Sequence, residues 1–478
     1  MNRSRRLYVL IGVLLASCVL TLGVSKYEEH REKIKSSDKI IMELDSKDVT
    51  SLSWEYGSET FAFHKDETWL YDEDENFPVD EKKVNQLLEK FKSFGVSFVI
   101  EEAEDLSQYG LDEPLCMINI EAAKENYNIS LGNYSEMDEE RYVSIGDGNV
   151  YLVKDDPLDS FDIKLSDMIL HDKIPEFDTV TEIEFAGSEN YKAVYKEDNK
   201  VTYNDEDVYF VKKDGKELAL DPESVDSYLD VIRGLNLKDY VSYHVTDDEL
   251  KSYGLDEPEL DVTLQYRVSD EESKEEKKGT AVLHIACDPA EKKNAKAKAD
   301  RFSDSDDSLE DEDSEEEITA YVRIGESKII YKISGAEYED LMRGSCDDLR
   351  YQEVIWANFA DISHAEIFLE GTKYDLTVKK KGEENVWYYQ KKEIEPDDFS
   401  YALSSLSASE FTKEEPAGKE EISLTLQIDN ENQPEVKIEL YRYDGNNCLA
   451  VVDGDPVSLI KRSAVVDLIE AVNAIVLN

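Results

Sequence analysis

The side chains that most often carry out chemistry in proteins are scattered along this sequence. No two of its six histidines lie within one helical turn of each other. The sequence also lacks a glycine-rich phosphate loop, a serine nucleophile elbow and a paired-histidine zinc motif. We therefore expect no enzymatic activity and no cofactor. The histidines are residues 30, 64, 171, 244, 284 and 364.

Acidic side chains dominate the composition, with 110 Asp and Glu residues against 54 Lys and Arg residues and a net charge of −56. Such a chain is repelled by phosphate backbones, so we expect no nucleic-acid binding. Because acids occur throughout, their spacing singles out no catalytic carboxylate pair. The carboxylates and the 28 tyrosines leave one alternative open, a cell-envelope hydrolase or carbohydrate-binding protein. That alternative requires a deep pocket holding a carboxyl of raised pKa.

The densest acidic stretch, 304–317, has ten acids in fourteen residues. Calcium loops of the EF-hand type place oxygen ligands at positions 1, 3, 5 and 12 and a glycine at position 6. Leu309 stands where that glycine is needed. We therefore predict an acidic, disordered insertion over 288–317 and no metal site. The residues at the four ligand positions are Asp304, Asp306, Ser308 and Glu315.

Of the five cysteines, Cys18 alone falls in a recognisable pattern. Residues 15–18 read Leu-Ala-Ser-Cys and match the lipobox of bacterial lipoproteins, in which the cysteine is lipidated and becomes the new N-terminus. The other cysteines show neither a CxxC pair nor metal-ligand spacing. Cys116 lies in an apolar run and is expected to be a buried small hydrophobe. The remaining three are Cys287, Cys346 and Cys448.

An apolar segment without a charge begins at Leu7 and ends at Val24. As a helix it would span about 27 Å, near the thickness of a bilayer core. Three arginines precede it, as in the start of an exported protein. The pattern predicts an uncleaved signal anchor over 1–25, which makes a single pass through the bacterial cytoplasmic membrane. The bulk of the chain would then lie outside the cytoplasm.

Two other outcomes stay open for this segment. A lipoprotein would be processed at Cys18, although the apolar run continues beyond that residue. A conventional cleaved signal peptide is the third possibility, although the sequence has no clear small-residue cleavage site. Five basic residues follow the segment, but long domains translocate largely regardless of such charges. The polar residues 26–41 are predicted to form a stalk.

One hexapeptide, Tyr-Gly-Leu-Asp-Glu-Pro, occurs twice, which indicates an internal repeat. A leucine stands three residues before each copy, and a strand-like run follows each proline. The repeated residues are Tyr109, Gly110, Leu111, Asp112, Glu113 and Pro114 in the first copy, and Tyr253, Gly254, Leu255, Asp256, Glu257 and Pro258 in the second.

The hexapeptide is explained as the end of a short helical turn. A turn that starts at Asp105 or Thr246 would reach the glycine where a positive φ is required, and the next leucine would fold back over the turn. Proline then prevents the helix from restarting. This predicts a positive φ at Gly110 and Gly254. The alternative assigns the two Asp-Glu pairs to a cation site or a partner-docking site.

Amphipathic helices recur upstream of the hexapeptides and once more near the end of the chain. Their starts are marked by Asp80, Asp221 and Pro396, each followed by apolar residues at helical spacing. The last segment lacks the hexapeptide and keeps only the dipeptide Glu415-Pro416, and a final helix covers 463–476.

These patterns predict an α+β fold in which an N-terminal membrane helix is followed by three repeated units. Each unit would be an antiparallel sheet with one main helix packed on a face. The predicted units cover 42–170, 175–350 and 358–478, and the acidic insertion interrupts the second of them.

Several of these elements resemble the family catalogued as domain of unknown function 4340. They are the basic start, the single apolar segment, the strand near Trp69, the hexapeptide, a Leu-Gly-Asn triplet at 131–133 and a Tyr-Val-x-Ile-Gly element at 142–146 that recurs at 321–325. The resemblance covers nearly all of the first two units and the third more loosely. The acidic insertion departs from the family pattern, as does Cys287, which stands where Asn133 would be expected.

The resemblance implies no catalytic residues, because the family has none established. Its members are typically encoded beside the permease, ATPase and auxiliary subunits of ABC exporters, which implies an accessory role outside the cytoplasm. We therefore expect a membrane-tethered, non-enzymatic scaffold or accessory protein. Its expected partners are the membrane, through residues 7–24, and a transporter permease or auxiliary subunit. The oligomeric state stays open.

Overall fold

The computed structural model describes residues 39–477 except 102, 104, 214, 270–275, 294–317 and 382–383. Chain contacts divide these residues into two compact units. The first holds the described residues up to Asp172 together with Lys238–His244, and the second holds Lys173–Leu237 and the residues from Val245 onward. The described part is mostly antiparallel β-sheet with few helices. None of the helices in it is both long enough and apolar enough to cross a bilayer.

The predicted membrane segment and Cys18 lie outside the described residues, as does most of the predicted stalk. The end of that stalk is part of the fold. Strand β1 (Lys39–Met42) pairs antiparallel with β5 (Phe94–Val96), and Met42 is buried. Because residues 39–41 are already part of this paired strand, they belong to the sheet structure rather than to the predicted stalk.

An eight-stranded antiparallel sheet forms the centre of the first unit. Its strands are β2 (Val49–Tyr56), β3 (Glu59–Lys65), β4 (Trp69–Tyr71), β6 (Phe98–Ile100), β7 (Cys116–Ala122), β8 (Asn126–Ser135), β9 (Glu140–Ser144) and β10 (Val150–Val153). Their spatial order is β4-β3-β2-β7-β8-β9-β10-β6. Alternate residues of each strand point to one face, and on that face Trp54 packs against Phe61, Phe63 and Phe161.

Two helices accompany this sheet, α1 (Glu81–Glu89) and α2 (Leu158–Phe161). Asp80 caps α1 by accepting the backbone N–H of Lys82, and Val84, Leu87 and Leu88 are buried along one stripe of the helix. The predicted cap and apolar stripe are therefore confirmed.

The second unit begins with another antiparallel sheet. Its strands are β11 (Thr179–Ala186), β12 (Asn190–Tyr195), β13 (Tyr209–Lys213), β14 (Lys216–Ala219), β16 (Leu260–Ser269), β17 (Glu276–Cys287), β18 (Ala320–Ile324) and β19 (Ile330–Ile333), and β15 (Tyr240–Ser242) is grouped with the first unit. Within the second unit the order is β14-β13-β12-β11-β16-β17-β18-β19. The helices are α3 (Pro222–Arg233), α4 (Asp247–Leu250), α5 (Gly335–Met342) and α6 (Cys346–Leu349). Asp221 caps α3, as predicted.

A further antiparallel sheet completes the second unit. Its strands are β20 (Ile362–Leu369), β21 (Thr372–Lys381), β22 (Glu384–Tyr389), β23 (Lys392–Ile394), β24 (Ala408–Phe411), β25 (Glu420–Ile428), β26 (Glu435–Arg442), β27 (Asn447–Val452) and β28 (Asp455–Lys461). Their order is β23-β22-β21-β20-β25-β26-β27-β28-β24. Helices α7 (Asp397–Ser404) and α8 (Arg462–Val476) share one apolar core with this sheet, through side chains such as Phe399 and Leu468.

The predicted disordered insertion starts on folded residues. Asp288 accepts the backbone N–H groups of Ala290 and Glu291, and the carboxylate of Glu291 accepts the backbone N–H of Thr319 at 2.8 Å. These hydrogen bonds fix 288–293 against the second sheet, so the prediction is wrong for those six residues. Residues 294–317 lie outside the described residues.

Candidate functional site

The first hexapeptide closes a short 3-10 turn at Leu106–Tyr109. Asp105 caps the turn by accepting the backbone N–H of Ser107 at 3.1 Å. Gly110 has a φ of 66°, and the N–H of Leu111 donates to the carbonyl of Leu106 at 3.0 Å. The positive φ and the returning leucine, which is buried, are the features that the sequence predicts.

The second hexapeptide has the same geometry. Thr246 and Glu249 form a capping box at the start of α4. Gly254 has a φ of 71°, and the N–H of Leu255 donates to the carbonyl of Leu250 at 3.0 Å. Leu255 is buried like its counterpart. Both glycines therefore have a left-handed backbone conformation, which a residue without a Cβ adopts without strain.

The first turn lies on the face of the sheet opposite the main core. Leu131 points into that core, so Gly132 faces the other way, towards the turn. A Cβ on Gly132 would lie 2.2 Å from the carbonyl oxygen of Tyr109, and a Cβ on Gly110 would lie 2.5 Å from Oδ1 of Asn133. The Leu-Gly-Asn triplet and the hexapeptide are therefore the two sides of one contact.

Aromatic packing completes the same contact, since the rings of Tyr109 and Tyr142 lie 5.0 Å apart between centroids. Three of the sequence elements behind the family resemblance, the hexapeptide, the Leu-Gly-Asn triplet and the element that begins at Tyr142, thus meet on one surface. Sequence reasoning listed them separately and missed that Gly132 and Asn133 are the partners of the turn. A glycine at residue 132, inside a strand-like run, was the available signal.

In the second copy, Ala286 and Cys287 occupy the places of the glycine and the asparagine. The position equivalent to a Cβ on Gly254 lies 3.3 Å from the carbonyl oxygen of Cys287. The turn forms a small second core on the outer face of the sheet, and Tyr253 packs against Tyr321 at 5.0 Å. The buried members of this core are Val245, Leu255, Ala286, Tyr321 and Ile330.

A buried ion pair lies beside Gly132, the residue of the sheet that faces the first turn. Nε of Arg141 donates to both carboxylate oxygens of Asp156 at 2.7 Å, and Nη1 of Arg141 donates to the carbonyl of Gly132 at 2.7 Å. Both charged side chains are buried. The arginine therefore fixes the strand that carries the contact with the turn, and sequence analysis gave no sign of it.

The acidic pairs that follow the two glycines are exposed. They are Asp112 with Glu113 and Asp256 with Glu257, and the two pairs belong to different compact units. Within the described ranges, no three His, Cys, Asp or Glu side chains gather closely enough to hold a metal ion.

Comparison with known proteins identifies the family. A model with the description "Domain of unknown function (DUF4340)" matches residues 69–258 and again 214–425. The chain belongs to the DUF4340 family. The starts of the two matches are offset by almost the same number of residues as the two hexapeptides. No curated protein and no solved structure matches the chain significantly.

A second buried polar network in this DUF4340 chain lies in the second unit. Asp207 is completely buried and accepts hydrogen bonds from Oγ1 of Thr202 at 2.6 Å, the hydroxyl of Tyr351 at 2.6 Å and Nε1 of Trp356 at 3.2 Å. Burial raises the pKa of the Asp207 carboxyl, and the three hydrogen bonds act in the opposite direction. The rings of Tyr351 and Trp356 stack at 4.5 Å.

This network fastens two sheets to each other. Asp207 lies between β12 and β13 of the second sheet, whereas Tyr351 and Trp356 precede the third sheet. Tyr203, from the same loop as Asp207, is buried within the core of the third sheet. The geometry therefore assigns Asp207 a structural role, and its sequence surroundings did not indicate one.

Proposed function

We propose that this chain is a membrane-tethered, extracytoplasmic accessory protein that acts as a binding scaffold in an ABC-type transport system. The observation that carries the proposal is the recurrence of one arrangement, in which a hexapeptide turn caps the outer face of an antiparallel sheet. Each copy of the turn presents an outer face of its own sheet, and repeated faces of this kind are typical of proteins that bind partners.

We further propose that the chain contains three copies of one sheet-plus-helix unit, near 42–170, 175–350 and 358–478. Support comes from the strand orders. In each sheet the strands before the main helix run from one edge to the centre, and those after it continue to the other edge. The helices α1, α3 and α7 follow β4, β14 and β23 respectively. The first sheet has three strands before its helix, whereas the other two have four.

The membrane and transport parts of the proposal rest on the sequence. The apolar stretch from Leu7 to Val24 has the length of a membrane anchor. The ABC-type setting rests on the typical gene neighbourhood of the family. The non-enzymatic role is supported by the structural use of the buried charges, since Arg141 and Asp207 form their hydrogen bonds with partners within the protein.

The hydrolase alternative would use a carboxyl of raised pKa in a pocket. Burial raises the pKa of Asp207, but its oxygens are occupied by Thr202, Tyr351 and Trp356. An open cavity of about 580 Å³ in the first unit is lined by residues of both charges, including Lys47, Lys92 and Glu125. Neither feature favours the hydrolase or carbohydrate alternative over the scaffold.

Purification of the full-length protein from its own membranes in mild detergent tests the proposal. We expect an ABC permease, ATPase or auxiliary subunit to copurify in amounts comparable to the bait. A preparation of another single-pass membrane protein at equal yield serves as the control. Recovery of none of these subunits above that control would contradict the proposal.

A further inference from the structure

The two hexapeptide turns differ in the residues that flank them on the outer face. The backbone N–H of Leu115 donates to the carbonyl of Leu131 at 2.8 Å, and that of Glu259 donates to the carbonyl of Ile285 at 2.9 Å. Leu115 and Glu259 are therefore equivalent positions. Two residues further along the same face, the first copy has Met117 where the second has Asp261.

In the second copy this flank is engaged by the chain itself. Glu259 accepts hydrogen bonds from the hydroxyl of Tyr338 and from Nζ of Lys292. Asp261 pairs with Nδ1 of His284 at 2.6 Å. Pro289 lies 3.3 Å from the position equivalent to a Cβ on Gly254. Segment 288–293, which contains one proline and two lysines, therefore lies against this turn.

In the first copy the equivalent flank is apolar and open to solvent. Leu106 is 39% exposed, Leu115 is 48% exposed and Met117 is 41% exposed. Exposing three large apolar side chains around one turn is costly unless a partner covers them. We call Leu106, Leu115, Met117 and the adjacent pair Asp112 and Glu113 the first-turn surface.

The charge around the first-turn surface indicates what would cover it. Residues 93–123 contain no lysine and no arginine, and the exposed acids Asp112 and Glu113 border the apolar side chains. A second copy of this chain, with a net charge of −56, would bring acid against acid, and an anionic lipid surface would be repelled in the same way.

We propose that the first-turn surface is the docking site for a partner protein whose contact segment carries lysine or arginine beside apolar side chains. Segment 288–293 shows this chemistry within the chain, because it places a proline and a lysine beside the second turn. The inference rests on the proposed accessory function for the existence of a partner, and it adds the place and the chemistry of the contact.

Photo-crosslinking in the cells that encode the protein tests the inference. The full-length chain carries benzoylphenylalanine in place of Met117, and a second version carries it in place of Gln265 on the outer face of the second sheet. We expect a heterologous protein product from residue 117 alone. Its crosslinked peptide should contain lysine or arginine next to apolar residues.

Two surface variants make the test specific. Leu115→Glu installs the residue of the second copy, and the double change Asp112→Lys and Glu113→Lys reverses the local charge. Each should lower the yield of the product by about ten-fold or more, which exceeds the effect of truncating most interface residues. All three side chains are exposed, so the melting temperature should not change.

Several results would overturn the inference. They are a product that is a dimer of this chain, a product with lipid, no product, the same product from residue 265, or a yield that neither variant lowers. A protein product that is not a transporter subunit would retain the docking surface and refute the proposed transport function. Undiminished copurification of ABC subunits with the Leu115→Glu variant would retain the proposed transport function and refute the docking surface.

Discussion

At the residue scale, Gly110 and Gly132 are restricted to glycine for different reasons. Gly110 has a φ of 66° and the side chain of Asn133 beside it. Gly132 faces the carbonyl of Tyr109 at a distance that no Cβ tolerates. Gly110 must be glycine because of both its backbone conformation and its packing, whereas Gly132 must be glycine because of packing alone.

Gly110→Val should therefore destabilise the protein more than Gly57→Val. Gly57 has a φ of 63° with open space around it, so its replacement measures backbone strain alone, about 1–3 kcal/mol. Gly110→Val adds the clash with Asn133. Urea denaturation of the purified variants gives the two free energies of unfolding. Adding Asn133→Ala should recover part of the extra loss, and equal losses for the two glycines would contradict the argument.

Asp207 should make the free energy of unfolding depend on pH, in a direction that its environment determines. Its pKa is raised by burial, so the folded state binds the proton more tightly than the unfolded chain, whose aspartate pKa is about 3.9. The protonated carboxyl therefore stabilises the fold fully below that value, and the contribution is lost as pH rises through the folded pKa. Asp207→Asn removes this titration. We expect the wild-type free energy of unfolding, relative to the variant, to fall as pH increases from about 4.

Urea denaturation at a series of pH values measures that difference, and a difference independent of pH would contradict the assignment. Asp207→Ala serves as the comparison variant. It leaves the hydroxyls of Thr202 and Tyr351 and the indole N–H of Trp356 without their acceptor, so it should lower the free energy of unfolding by about 1–3 kcal/mol or more at every pH.

At the element scale, the hexapeptide is a turn that packs on the outer face of a sheet, and in the second copy it belongs to a small separate core. Leu111 and Leu255 are the side chains through which the turn packs there, and both are buried. Leu106 accepts the same backbone hydrogen bond as Leu250 but is 39% exposed. A shared hydrogen-bond pattern therefore does not imply equal burial, and we expect the stability cost of truncating each leucine to follow its burial.

Leu111→Ala and Leu255→Ala should each cost about 2–4 kcal/mol, the range for deleting a buried leucine side chain. Leu106→Ala should cost clearly less, because part of its side chain is already in water. Thermal and urea unfolding measure these costs. Asp112→Asn and Asp256→Asn are the matched controls, and we expect little change in stability from either. A large loss from the aspartate changes would assign those carboxylates a structural partner.

At the scale of the whole molecule, the second and third sheets belong to one compact unit, joined through Asp207, Tyr203 and Trp356. The proposed attachment to the membrane depends on residues 1–25, and its two forms predict different masses. An uncleaved anchor keeps Met1 and the full mass, whereas a lipoprotein begins at Cys18 with added acyl chains.

Intact-mass analysis of the membrane-extracted protein should find the full chain with Met1. Cys18→Ala should leave both the mass, apart from the substitution, and membrane retention unchanged. External protease on wall-stripped cells should digest the chain beyond about residue 26, since the proposed anchor would place that part outside the cytoplasm. Accumulation of an unprocessed precursor in the Cys18→Ala variant would instead identify a lipoprotein.

The sequence by itself determined the local features of this protein. Asp80 and Asp221 mark helix starts, and Gly110 and Gly254 mark positive φ, because caps and turns depend on residues that are neighbours in the chain. The family was recognisable for the same reason, since its signature consists of short contiguous elements. The boundary at residue 42 was wrong because β1 pairs with a strand more than fifty residues away.

Only the tertiary structure decided which of these elements touch. The contact of Gly110 with Asn133, the ion pair of Arg141 with Asp156 and the donors around Asp207 join residues that are distant in sequence. Such contacts depend on strand order and register, and periodicity along one strand specifies which face a residue takes but not its neighbours across the sheet. The open flank of the first turn became visible only when the second copy showed its equivalent engaged by Lys292 and Tyr338.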